Sequence, residues 1–176
     1  MTNDIQNNKE FEHYVSFLIN ERNSEQNYHN HKENMAWVAT YLYLFAIASV
    51  TYYLGVSKDV KFMIGYSIVS IIATFLFFVF IYVQFRLRWH AANVIAGLTK
   101  ALSQLLNKEI SLDAQNMQTI EVKGAVYPKF LKEAIDTSSS VSARWYGIDM
   151  RQMTELASYS MMILALVTAN LIIWLR

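Results

Sequence analysis

Residues 62–85 read FMIGYSIVSIIATFLFFVFIYVQF, 24 consecutive positions without a charge or a proline. A hydrocarbon core about 30 Å thick is crossed by about 20 apolar residues, each rising 1.5 Å along an α-helix. The stretch is long enough. Inside lipid every backbone N–H and C=O has to be satisfied within the segment, so the chain here is expected to be helical.

Two further stretches share the property: residues 34–57, again 24 positions, and residues 156–175, 20 positions. All 29 charged side chains lie outside the three runs. That segregation says more than the net charge of +1 or the 54% hydrophobic content. Charged residues make up 16%, against about 25% in an ordinary soluble protein. An ordinary soluble enzyme is disfavoured. The absence of cysteine also disfavours a secreted disulfide scaffold and a zinc-thiolate protein. Residues 1–33 are polar, without the short apolar core and cleavage site of a signal peptide. The first span is therefore expected to direct its own insertion.

The expected fold class is an all-α integral membrane protein with about three transmembrane helices, a helical cytoplasmic region and an oligomeric assembly. Residues 1–34 form an N-terminal cytoplasmic or interfacial helix, with Phe11, Tyr14, Val15 and Leu18 on one face. Residues 35–85 form a transmembrane hairpin with spans at 35–54 and 62–85. The short link, with Gly55 at its start, makes the two helices antiparallel neighbours. Trp37, Tyr52 and Tyr53 fall near the ends of the first span, where amphipathic rings favour the water interfaces.

Residues 86–155 form the helical cytoplasmic region. The second helix is expected to continue to about Asn107. Its stripe of Val94, Leu98, Ala101, Leu102 and Leu105 needs a partner to cover it, which favours association of copies. Residues 108–126 read as irregular or short helical, although Thr119, Ile120, Glu121 and Val122 alternate like a strand. Pro128 suits the first turn of a helix from about Tyr127 to Asp136. The last helix is expected from near Val141 to Leu175, with its third transmembrane part at 156–175. With the N-terminus cytoplasmic, 12 basic residues lie inside and only Lys58, Lys61 and Arg176 outside. That obeys the positive-inside bias and puts the C-terminus on the periplasmic side.

Chemistry is sparse. His29 and His31 are two residues apart, on opposed sides of a helix, so they cannot chelate one metal. No metal, cofactor or independent nucleic-acid binding is expected, and the chain does not read as an enzyme. The spans hold no carboxylate, lysine or arginine, which argues against an ion-coupled transporter. They do hold Ser67, Ser70 and Thr74 on one side of the second span, and Ser158, Thr168 and Asn170 in the third. Such residues let helices approach closely or face water in a lumen. Arg86 and Arg88 follow the second span, where cations meet anionic headgroups of the membrane lipid.

Residues 22–29, RNSEQNYH, carry Arg22, Asn23 and His29. This outline resembles the motif of HEPN-type ribonucleases, in which the arginine stabilises phosphate charge and the histidine serves as acid or base. On one helix Arg22 and His29 stand two turns apart, about 10 Å along the axis, so one copy cannot clamp a phosphate between them. Together with the length, the spans and residues 22–37, RNSEQNYHNHKENMAW, the chain resembles the small membrane accessory proteins of type VI-B CRISPR systems. That resemblance implies a ring-shaped homo-oligomeric pore in the bacterial inner membrane. Such a pore would depolarise the membrane in antiphage defence, and an RNA-guided nuclease would be its functional partner rather than a directly bound one. The competing readings are a membrane-anchored HEPN-like RNase and another small membrane effector, such as a holin-like protein.

Overall fold

A computed structural model describes the backbone of residues 2–54, 59–107, 119–122, 125–138, 144–145 and 148–175. Four helices dominate: α1 (Thr2–Leu54), α2 (Val60–Leu106), α3 (Lys129–Ser138) and α4 (Met150–Leu175). Two small antiparallel hairpins accompany them, β1 (Thr119–Val122) with β2 (Ala125–Pro128), and β3 (Arg144–Trp145) with β4 (Ile148–Asp149). Helices α1, α2 and α4 each contain a stretch long and apolar enough to cross a membrane. Nothing in residues 2–54 breaks a helix, since neither glycine nor proline occurs there. The polar N-terminal segment and the first span are accordingly one helix of 53 residues.

The chain divides into two compact units. The first comprises Met1–Asn30 and Arg88–Ser142. Its core joins Leu18 of α1, Val94, Leu98, Ala101 and Leu105 of α2, and Phe130, Leu131 and Ala134 of α3. The α2 stripe expected to need a second copy is thus covered within the chain. The cover comes from the N-terminal face of α1, whose Phe11, Tyr14 and Val15 pack beside Leu18, and from α3. One argument for association falls with it. Helix α3 presents Phe130, Leu131, Ala134 and Ile135 on one side, the spacing of a single apolar face. It lies so close to α2 that a Cβ built on Gly97 would collide with Ile135 Cγ1 and sit 2.6 Å from its Cα.

The alternation at residues 119–122 does form a strand, with Ile120 opposite Tyr127 and Val122 opposite Ala125. Three β-branched residues in four favour the extended backbone over the irregular or helical one expected. Pro128 ends β2, and α3 starts one residue later. The last helix begins at Met150, not near Val141, a position outside the described residues. The paired strands β3 and β4 occupy residues 144–145 and 148–149 instead, and Gly147, a residue that disfavours helix, stands between them in sequence.

The second unit comprises His31–Leu87 and Ala143–Arg176. Here α1, α2 and α4 pack around Ala36, Ala39, Tyr43, Ile47, Tyr66, Ile81, Phe85, Met162, Ala169 and Ile173. In a lipid surrounding as apolar as leucine, transfer from water would not drive these helices together. Close packing over small residues such as Ala36, Ala39 and Ala169 and hydrogen bonds between helices take its place.

Candidate functional site

The polar side chains of the second unit form a ladder through an otherwise apolar bundle. Thr40, fully buried, donates its hydroxyl to the Ala36 carbonyl at 2.9 Å. A hydroxyl carries one proton. Ser158, whose Oγ lies 2.6 Å from Thr40 Oγ1, must therefore be the donor of that pair. Likewise Thr74 donates to the Ser70 carbonyl at 2.6 Å, so Tyr43 donates its phenolic proton to Thr74 at 2.7 Å, with the Met162 carbonyl a longer second acceptor at 3.4 Å. Thr51 donates to the Ile47 carbonyl at 2.6 Å and accepts from the Tyr66 hydroxyl at 2.7 Å.

The remaining rungs join α2 to α4. Ser67 donates to Asn170 Oδ1 at 2.7 Å and accepts from the Trp174 indole N–H at 3.1 Å. The Asn170 amide nitrogen donates to the Leu166 carbonyl at 2.9 Å and reaches Ser70 Oγ at 3.4 Å. Ser70 itself donates to the Ser67 carbonyl at 3.0 Å. Every pair among the three helices is tied by at least one such bond, each contributing about 0.6–2 kcal/mol inside a bilayer.

Five of the six hydroxyl and amide side chains singled out in the spans, Ser67, Ser70, Thr74, Ser158 and Asn170, are thus helix-packing groups within one copy. The sixth, Thr168, is exposed. It lies on the wall of a groove of about 600 Å³ between α1 and α4, with Leu44, Ala48 and Tyr52 opposite Leu164 and Ile172. Sequence reading missed the α1 half of the ladder, namely Thr40, Tyr43 and Thr51, and Tyr66 of α2. The available signal was spacing, because Ala36, Thr40, Tyr43, Ile47 and Thr51 recur at intervals of four, three, four and four.

At one edge of this bundle Arg86 is exposed and donates its Nε–H to the Tyr82 hydroxyl at 2.8 Å. Arg88, expected with it to meet the lipid headgroups, is instead buried. It belongs to the first unit, on the inward stripe of α2 that continues through Ala91 and Val94, so it is not presented to headgroups. Beside Arg86 in the second unit, Tyr159 donates to Glu155 at 3.2 Å and stacks on Phe78 with ring centroids 4.0 Å apart.

Arg22, Asn23 and His29 lie in the first unit on uninterrupted helix, Asn23 exposed and the other two half-buried. His29 Nδ1 faces Asn30 Oδ1 at 3.4 Å, and that oxygen also accepts from Gln26 at 3.2 Å. Glu25 lies between Arg22 and His29. Partial burial and the neighbouring Glu21 carboxylate push its carboxyl above the usual range, against the opposing pull of His90. Two turns of rigid helix keep Arg22 and His29 from converging on one phosphate within a copy. Among the described residues no three His, Cys, Asp or Glu side chains cluster as a metal site would require.

The class defined by this fold is a helical protein with three helices long and apolar enough to span a membrane, which suggests a membrane location. Compared with protein-family models, with curated proteins and with solved structures, the chain matches none.

Proposed function

We propose that the chain assembles into an oligomeric pore of the bacterial inner membrane that acts as an accessory effector in RNA-guided antiphage defence. Its N-terminus is cytoplasmic and its C-terminus periplasmic, and activation depolarises the membrane. The observation that carries the reading is the hydroxyl ladder. Its rungs spend the polar side chains on binding three charge-free spans to one another, so a copy is a membrane-embedded wall element rather than a carrier with a substrate site. Three helices closed on themselves enclose no conduit, and closed rings of identical subunits are the usual way to make one. The defence role rests on the resemblance carried by Arg22, Asn23 and His29 together with the layout of the spans.

The test has two arms. Particles of the detergent-purified chain are imaged for rotational symmetry and a central hole. Cells carrying the chain with an RNA-guided nuclease are followed with a potential-sensitive dye when matching phage RNA is supplied. A ring and a trigger-dependent loss of potential are expected. Monomers without depolarisation overturn the reading, and depolarisation on expression alone favours a holin-like protein.

A further inference from the structure

Threonines inside apolar helices commonly turn their hydroxyl onto the carbonyl one turn earlier, which hides it from lipid. Three of the four in the spans do so: Thr40 onto Ala36, Thr51 onto Ile47 and Thr74 onto Ser70. Thr168 does not. Among the described residues its hydroxyl has no hydrogen-bond partner, and neither has that of Ser160, two turns earlier on the same helix. Both side chains are exposed. They stand about 12 Å apart along α4 and within about 80° of each other around its axis. The remaining unbonded serine of the spans is Ser49 of α1, which is half-buried.

Helix α2 is the opposite case. Each of its span hydroxyls is bonded within the chain: Tyr66, Ser67, Ser70, Thr74 and Tyr82. Its exposed side is made of large apolar groups, among them Phe62, Ile68, Val69, Ile72 and Phe75, whereas the exposed side of α4 mixes Ile163, Leu164, Val167 and Leu171 with the two unbonded hydroxyls. A hydroxyl facing hydrocarbon has lost its water and found no substitute, whereas Ile72 and Phe75 lose nothing there.

We infer that the α4 surface bearing Ser160 and Thr168 faces water within the membrane, as the wall of the aqueous path, while the outer side of α2 faces lipid. The word path rests on the pore proposed above; the contact with water does not. In the assembly α4 is the inner helix of each copy and α2 the outer one.

The chain has no cysteine, so single cysteines report on their surroundings without background. Only a thiolate attacks a thiosulfonate, and thiolates form in water rather than in lipid. Ser160→Cys, Thr168→Cys, Val69→Cys and Ile72→Cys, with Lys61→Cys as an exposed reference, are made in the full chain. Each is treated in membranes with a charged, membrane-impermeant thiosulfonate, and ion leakage is recorded alongside. Positions 160 and 168 are expected to react at least about tenfold faster than 69 and 72. If 160 and 168 stay as unreactive as 69 and 72 while 61 reacts, the inference is overturned. Fast reaction at 69 and 72 with none at 160 and 168 overturns it too, even where the membranes leak. Fast reaction at 160 and 168 in membranes that never leak upholds the water contact and removes the pore.

Discussion

Ser158 Oγ and Thr40 Oγ1 meet at 2.6 Å across the contact of α4 with α1, and neither side chain is exposed at all. The pair is separated by 118 positions in the chain, so it reports on tertiary packing alone. Thr40→Val keeps the shape and removes the acceptor. It is expected to lower stability in detergent by about 1 kcal/mol. Ser158→Ala should do the same, and the double variant should cost less than the sum. Denaturation of the four species in a cycle measures the difference; strict additivity would show the contact to be incidental.

Gly97 has no room for a side chain, because the Cα of Ile135 stands where a methyl would go. Gly97→Ala should push α3 away from α2 and destabilise the first unit by about 1–3 kcal/mol. Truncating Ile135 to alanine in the same chain should relieve only part of the loss, since it removes the nearest atom, Cγ1, and leaves the main-chain Cα 2.6 Å from the new methyl. Faster proteolysis within residues 129–138 is the readout.

Tyr14 sits among Phe17 and Phe130, with ring centroids 6.1 and 6.0 Å away, and its buried hydroxyl has no hydrogen-bond partner. Removing an unsatisfied group recovers the cost of its desolvation, about 1–3 kcal/mol. Tyr14→Phe is therefore expected to stabilise the protein, in contrast with most core substitutions. A lower melting temperature for this variant would contradict the placement of the ring.

Glu25 gives a pH dependence of definite sign. Its carboxyl titrates higher in the folded chain than in the unfolded one, through burial first and the Glu21 charge second. The folded state then holds the proton more tightly. The stabilising contribution is complete below the ordinary glutamate range and is lost as pH rises through the folded value. Glu25→Gln should flatten this part of the stability profile and leave the protein more stable than its parent at neutral pH, as thermal melts between acid and neutral pH would register.

The three spans were legible because lipid imposes one rule, the absence of charge over about 20 residues, and residues 62–85 obey it without interpretation. The continuation of α2 to Leu106 was legible for a similar reason, since no proline follows Arg86 before the helix ends and the apolar stripe runs on past Gly97. The partner of the stripe at Val94 and Leu98 was not. An apolar stripe announces that it needs cover, but Leu18 and Phe130, which supply it, are far away in sequence. The hairpin at residues 119–128 was visible only as a weak alternation, which short strands always give. Thr40, Tyr43 and Thr51 escaped notice because a hydroxyl in a span reads the same whether it faces a helix, a lumen or lipid, and only the neighbouring backbone decides.

The direction of the hydroxyl protons carries a last consequence. Ser158 gives to Thr40 and Thr40 to the Ala36 carbonyl; Tyr66 gives to Thr51 and Thr51 to the Ile47 carbonyl; Tyr43 gives to Thr74 and Thr74 to the Ser70 carbonyl. Each relay terminates on an amide oxygen, which has no proton of its own to hand onward. Along these three relays a proton has no onward acceptor that could release another. The current of the proposed pore would therefore not run along these three relays.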